Sequence, residues 1–176
     1  MGKYNLRLIF EVNILTFKNL NLQRNNHLSS KKILMLKLVE CPRDAMQGIK
    51  EFIPSHLKLE YLKLLLNCGF DTLDYGSFVS PKAIPQMKDT ASLTEELAEI
   101  DTDTKLLAII ANIRGAQDAC LHENIDYLGY PFSISETFQE RNTKRGIKQA
   151  FEDVKHIRDL AKKHDKEIVL YISMGF

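Results

Sequence analysis

Leu106-Leu107-Ala108-Ile109-Ile110-Ala111 is an unbroken apolar run. A run this short and uniform reads as a strand covered on both faces, the condition of a parallel sheet. Parallel strands need crossover connections, usually helices, so the rest of the chain should alternate. It does. Ile33 to Val39 predicts an earlier buried strand, ended at Pro42, which cannot donate to a continuing ladder. Pro54-Ser55 then predicts a helix start, with Ser55 as its cap, and Leu57, Tyr61, Leu62, Leu65 and Leu66 follow at helical spacing before Gly69. Asp71 to Tyr75 reads as a short strand, and Ser92-Leu93-Thr94-Glu95 as a capping box opening a helix to about Glu99. Asn112 to Gly115 turns the central strand into a short helix ending near His122. Ile125 to Phe132 is a fourth strand and Ser133 to Arg141 a polar loop. The longest helix starts at Asn142 or Thr143, with Ile147, Phe151, Val154, Ile157 and Ala161 as its apolar stripe. Glu167 to Ile172 is a fifth strand. The class is α/β with a parallel sheet, as a (β/α)₈ barrel or a doubly wound sheet. No G-x-G-x-x-G turn follows the first strand, which disfavours a nucleotide-binding sheet.

Four polar loops follow strands: Arg43 to Gln47, Gly76 to Lys82, Asn112 to Arg114 and Ser133 to Asn142. Both architectures place ligands and catalysis at the carboxyl tips of strands. Arg43-Asp44 alone reads more readily as a solvated ion pair closing a turn; four polar loops on one end shift the reading to a site. The 176 residues carry a net charge of +1, which argues against nucleic acid or an anionic membrane as the main partner. No apolar run approaches the roughly 18 residues of a membrane span. Cys41, Cys68 and Cys120 are odd in number and lack metal-type spacing, so a reduced, cytoplasmic protein is expected. Residues 1–31 read as an irregular extension, with Arg7 and Glu11 breaking any signal-peptide core, and residues 32–176 as the organised domain. Met35 is an alternative start.

The run Val39-Glu40-Cys41-Pro42-Arg43-Asp44-Ala45-Met46-Gln47 resembles the first-strand motif of hydroxymethylglutaryl-CoA lyases. Ser77-Phe78-Val79-Ser80-Pro81-Lys82-Ala83-Ile84-Pro85-Gln86-Met87 is similar to their second-strand loop, nearly letter for letter. Ala111-Asn112-Ile113-Arg114-Gly115, and Ser135-Glu136-Thr137-Phe138 with Asn142, match later loops in order. The resemblance covers roughly Ile33 to Phe176. It implies the (β/α)₈ TIM-barrel fold, here as about five strands and four helices, and a divalent-metal-dependent cleavage of 3-hydroxy-3-methylglutaryl-CoA to acetyl-CoA and acetoacetate. By the same resemblance Asp44 is a ligand of Mg²⁺ or Mn²⁺. Arg43 stabilises a developing enolate, and Gln47 orients groups near the metal. Ser77, Asn112, Ser135 and Glu136 line the acyl-CoA pocket.

Asp74 stands where relatives usually carry Glu, one methylene longer, so a carboxylate that holds Arg43 would need a shifted geometry or a bridging water. The family's other metal ligands are a His-x-His pair and an Asn late in the barrel, and its catalytic cysteine lies on a late glycine-rich loop. His27, His56, His122, His156 and His164 make no such pair. Cys68 and Cys120 read as packing residues, and His56, His156 and His164 as solvated helix residues. The expectation is a truncated lyase, inactive as it stands. Two alternatives stay open: a Claisen-type synthase or carboxyltransferase of the same superfamily, and a non-catalytic half-barrel that pairs with itself or a complementary fragment through its sheet edges.

Overall fold

The computed structural model describes residues 36–175. Five strands lie side by side: β1 (Val39–Glu40), β2 (Thr72–Ser77), β3 (Lys105–Ile109), β4 (Tyr127–Ser133) and β5 (Glu167–Ser173). Their spatial order is their sequence order, and every pair is parallel. A doubly wound sheet reverses its order beside the first strand. This one never does, so it curls one way, as part of a barrel. The predicted extension 1–31, the alternative start at Met35 and the first residues of the predicted opening strand lie outside the described residues.

The crossovers hold six α-helices among the described residues, more than the four expected: α1 (Pro42–Gln47), α2 (Ser55–Leu66), α3 (Thr90–Leu97), α4 (Ile113–Cys120), α5 (Glu136–Thr143) and α6 (Ile147–Lys163). The two extra ones, α1 and α5, were expected as loops. Pro42 ends the strand and also opens α1, where its missing N–H is no loss because first-turn donors lack partners anyway. In α5 only Gln139 is buried, so no apolar period betrays the helix; Ser135 caps it by accepting from the Phe138 N–H at 3.4 Å. The long helix α6 starts later than predicted because Lys144 adopts a left-handed φ of 58° and Gly146 is its N-cap. Its buried face is Ala150, Ile157 and Ala161, and Phe151 is exposed.

Two predicted caps do not form. Pro54 occupies the N-cap of α2, and the Ser55 hydroxyl donates instead to Asp89 at 2.7 Å. Helix α3 begins at Thr90, ahead of the Ser92–Glu95 box, and Ser92 Oγ donates to the Asp89 carbonyl at 2.9 Å. The face of α2 is rotated as well: Lys58, Leu62 and Leu66 are buried, whereas Leu57 and Tyr61 are exposed. The core lies between the sheet and these helices, with Leu73, Tyr75, Leu106, Ala108, Leu128 and Tyr130 supplied by the strands. Cys120 belongs to it; Cys68 is exposed, against the expectation of a packing role. His56, His156 and His164 are exposed.

Tyr130 is fully buried, yet its hydroxyl has no hydrogen-bond partner among the described residues. Burial, then the nearby Asp153, push the phenol up to about 12. A folded-state value above the unfolded one contributes stability present below the unfolded pKa, near 10, and lost as pH rises through about 12. Tyr130→Phe removes an unsatisfied buried group, a penalty of about 1–3 kcal/mol. It is expected to unfold at equal or higher urea at pH 7 and to lose less stability between pH 10 and 12. A drop of more than about 1 kcal/mol at pH 7 would contradict this.

Candidate active site

Arg43 and Asp44 sit in α1, at the carboxyl tip of β1, and Asp74 lies mid-way along β2. Thirty-one residues apart in sequence, Arg43 and Asp74 meet in a bidentate pair: Nε donates to Oδ1 at 2.9 Å and Nη2 to Oδ2 at 2.6 Å. Asp74 therefore reaches the guanidinium directly, with neither the shifted geometry nor the bridging water expected of its shorter side chain. Arg43 Nη1 turns the other way and donates to Asp44 Oδ1 at 3.2 Å and Gln47 Oε1 at 2.9 Å. These bonds engage every guanidinium N–H except one on Nη2, which has no partner among the described residues. Burial works against the charged guanidinium, but the Asp74 bond outweighs it and raises its pKa. Arg43 is a fixed cation.

The phenol of Tyr171, on β5, donates to Asp74 Oδ2 at 3.2 Å. Burial, then the neighbouring Asp74 charge, raise its pKa, so it stays a donor. Gly129 makes room for it: a Cβ there would come within 2.6 Å of Ile109 Cδ1, 2.9 Å of Leu107 Cδ2 and 3.1 Å of Tyr171 Cε2. Sequence reasoning missed Tyr171, because an aromatic residue in a strand reads as packing. The free Cys41 thiol is raised by burial and then by Asp74, which disfavours a nucleophilic thiolate.

Asp44 alone among the three charged groups faces solvent, with its side chain 67% exposed. Its Oδ1 accepts from Arg43 and from Gln47 Nε2 at 3.2 Å; Oδ2 accepts no bond among the described residues. One cation and two carboxylates leave the cluster net negative, and a hard dication takes oxygen ligands of this kind. The donor set fits one carboxylate ligand and no more: no group of three or more His, Cys, Asp or Glu side chains that could hold a metal occurs among the described residues.

The structure separates the other candidates. Ser77 and Asn112 both line a cavity of about 300 Å³ between the β2–α3 and β3–α4 connections. Ser77 Oγ accepts from the Val79 N–H at 3.2 Å, and Asn112 Oδ1 caps α4 through Gly115 N–H at 2.9 Å. Gly115 lets α4 approach the β2 loop, since a Cβ would stand 2.8 Å from the Phe78 carbonyl oxygen. Ser135 and Glu136 lie at the start of α5, outside that cavity. Glu136 Oε2 accepts from the Ile147 N–H at 3.0 Å and so serves the start of α6.

No family profile matches the chain. Individual proteins do. A mitochondrial hydroxymethylglutaryl-CoA lyase of Arabidopsis thaliana is 28% identical over 90% of this chain and 34% of its own length. A 3-hydroxy-3-isohexenylglutaryl-CoA/hydroxymethylglutaryl-CoA lyase of Pseudomonas aeruginosa is 31% identical over 78% of this chain and 46% of its own, and a cytoplasmic lyase of Danio rerio is 28% identical over 78% and 41%. In structure, an HMG-CoA lyase from Acinetobacter baumannii in complex with coenzyme A and 3-methylmalate superposes with TM-score 0.72 at 26% identity, over 78% of this chain and 45% of that one. The Pseudomonas aeruginosa lyase superposes with TM-score 0.68 at 31% identity, over 77% and 45%. The chain spans less than half the length of these relatives. It is homologous to the hydroxymethylglutaryl-CoA lyases, over the N-terminal part of their barrel.

Proposed function

We propose that the chain carries the arginine–aspartate half of the active site of a metal-dependent carbon–carbon lyase, which cleaves 3-hydroxy-3-methylglutaryl-CoA to acetyl-CoA and acetoacetate. The observation behind this reading is the Arg43 guanidinium, clamped by Asp74 with one Nη2 N–H left over, beside the exposed Asp44 carboxylate. Breaking the substrate's C–C bond sends an electron pair toward the thioester carbonyl, and a preset guanidinium donor stabilises the oxygen that gathers that charge. Asp74 and Tyr171 hold Arg43 in place rather than touching substrate. Asp44 would supply one carboxylate to Mg²⁺ or Mn²⁺, whose chemistry when bound is Lewis-acid polarisation of substrate oxygens. Gln47 would keep Asp44 turned toward that ion, and Ser77 and Asn112 would line the acyl-CoA path. Ser135 and Glu136 would act by fixing the β4–α5 turn. The cytoplasm is the proposed compartment on the strength of three free thiols, and cell fractionation checks it.

The test mixes the chain with the C-terminal half of the Pseudomonas aeruginosa relative and follows acetoacetate release with Mg²⁺ or Mn²⁺ present. Metal-dependent cleavage is expected. Asp44→Asn should lower it by no less than about 10²-fold, since second-sphere groups alone cost 10–100-fold, while circular dichroism of this exposed site stays unchanged. A stable complex of the two halves without cleavage would favour the non-catalytic half-barrel, for which the exposed β5 residues Leu170 and Ile172 speak.

A further inference from the structure

Strand β5 is an open edge of the sheet. The Glu167 N–H donates to the Asp126 carbonyl at 3.0 Å, and the Ser173 carbonyl accepts from the Ile134 N–H at 3.3 Å. The odd-numbered residues of the strand therefore turn their backbone groups toward β4. Those groups alternate sides along a strand, so the N–H and carbonyl of Ile168, Leu170 and Ile172 point outward. No strand pairs with them among the described residues. The same three residues put apolar side chains on one face. Ile168 packs against the core, whereas Leu170 is 43% and Ile172 65% exposed. Helix α6 packs on both β4 and β5 and leaves a groove of about 410 Å³ beside that face, whose apolar lining is Val154, Ala161, Ile168 and Leu170. Phe151, one turn before Val154 on the same side of α6, is exposed. Sheet edges are commonly blunted by brevity, proline, a bulge or charge. The opposite edge, β1, has two residues and stops at Pro42. β5 has seven, with no proline, an unbroken register against β4 and a single charge, Glu167, at its start.

We propose that this edge is the interface of a two-fold dimer, in which β5 pairs antiparallel with β5 of a second copy, centred on Leu170. The inference stands on the edge alone and not on the lyase reading. A second copy's β1 covers only two of the seven residues, so β5 is its own best complement. The register follows from the two-fold axis. An axis through the sheet keeps every side chain on its face, so odd residues pair with odd and even with even. Centring on Leu170 pairs Ile168 with Ile172, Val169 with Tyr171 and Glu167 with Ser173, and every outward N–H and carbonyl gains a partner. Centring on Val169 or Tyr171 leaves one outward residue beyond the end of the other strand. No like charges oppose each other along the strands. Among the groove's charged residues, Lys166 is held by the His122 and Ile125 carbonyls and Arg158 by Asp159. Lys162 and Glu167 border the groove at the start of β5, where the second copy presents Ser173. Two strand spacings put the paired α6 helices roughly 10 Å apart, the distance of packed helices, over Leu170 and Ile172 of both copies.

The test is sedimentation velocity of the purified full chain over a wide concentration range, which should show a monomer–dimer equilibrium. Leu170→Lys sets two ammonium groups against each other on the axis and should weaken the dimer by about 10-fold or more. Leu64→Lys, on the exposed face of α2 at the β1 end of the sheet, should leave it unchanged. Circular dichroism and urea unfolding check that each variant folds, and Ile172→Lys takes the place of Leu170→Lys if that one does not. The register has its own readout. In a Cys68→Ser background, Leu170→Cys should give a disulfide-linked dimer on mild oxidation, because hydrogen-bonded antiparallel pairs hold their Cα atoms about 5.5 Å apart. Ile172→Cys, which faces Ile168 and not its own counterpart, should not. A chain that stays monomeric, that forms open-ended polymers, or that dimerises as well with a folded Leu170→Lys overturns the proposal. Equal linking of the two cysteine variants overturns the register. The C-terminal half of the Pseudomonas aeruginosa relative needs the same edge to complete an eight-stranded barrel. A dimer with no cleavage after that half is added keeps the interface and counts against the lyase; cleavage from a chain that never dimerises does the reverse.

Discussion

Asp74→Ala should lower the unfolding free energy by about 3–5 kcal/mol, the range for removing one partner of a buried pair. Asp74 is fully buried and Arg43 only 9% exposed, so the stranded guanidinium cannot recover water without opening the β1–β2 end of the sheet. The same change orphans the Tyr171 phenol. Urea unfolding of the two chains measures the difference, and added salt should alter it little because the pair is screened by protein rather than by ions. Asp74→Glu should also destabilise, by about 1–3 kcal/mol, because a methylene is forced into a filled site. A carboxylate can be present and still misplace Arg43. Wild-type stability for Asp74→Ala would mean that Arg43 swings to solvent in the native state, and would remove the clamp from the proposed mechanism.

The contrast between Asp74 and Lys58 explains what the sequence could and could not convey. Strands β3 and β4 announce themselves because burial on both faces demands apolar residues in succession. Arg43, Asp44 and Gln47 are readable because Pro42 fixes where the strand stops. Asp74 is harder: a carboxylate inside a strand looks like an outward-facing residue until its partner comes from another strand. Lys58 carries no signal at all. Lysine in an amphipathic helix reads as the solvent face, and that shifted the predicted stripe of α2 onto Leu57 and Tyr61. Tyr171 is hidden by the same ambiguity in reverse, an apolar-looking ring whose hydroxyl finds a carboxylate 97 residues earlier. Helices α1 and α5 carry no apolar period to read: Pro42 opens the first and the Ser135 cap opens the second. Separations of this kind are set by the curl of the sheet, which no local window contains.

Asp89→Ala is the second change expected to act strongly, by about 3 kcal/mol or more, because it strands the other buried cation. The Lys58 ammonium is 1% exposed; it donates to Asp89 Oδ1 at 2.8 Å and to the Gln86 carbonyl, and lies 4.2 Å from the Phe52 ring centroid. Without the carboxylate, one carbonyl and one ring face remain to hold a full charge. The consequence should extend beyond stability. The Gln86 side chain accepts from the Ile53 N–H at 2.9 Å and donates to the Ile49 and Glu51 carbonyls at 3.1 and 2.9 Å, tying the α1–α2 connection to the loop after β2. Met87 and Lys88, next to Gln86, line the Ser77 cavity. Loosening Lys58 should therefore raise amide exchange at Ile53 and, on the proposed lyase reading, slow acetoacetate release by the reassembled barrel. Lys58→Met combined with Asp89→Leu removes both charges and should recover most of the stability, since an apolar replacement of a buried pair is often neutral. Recovered stability with slow exchange at Ile53 would show that Gln86 alone clamps the loops. Recovered stability with fast exchange would assign the clamp to the ion pair, and with it the placement of the cavity wall.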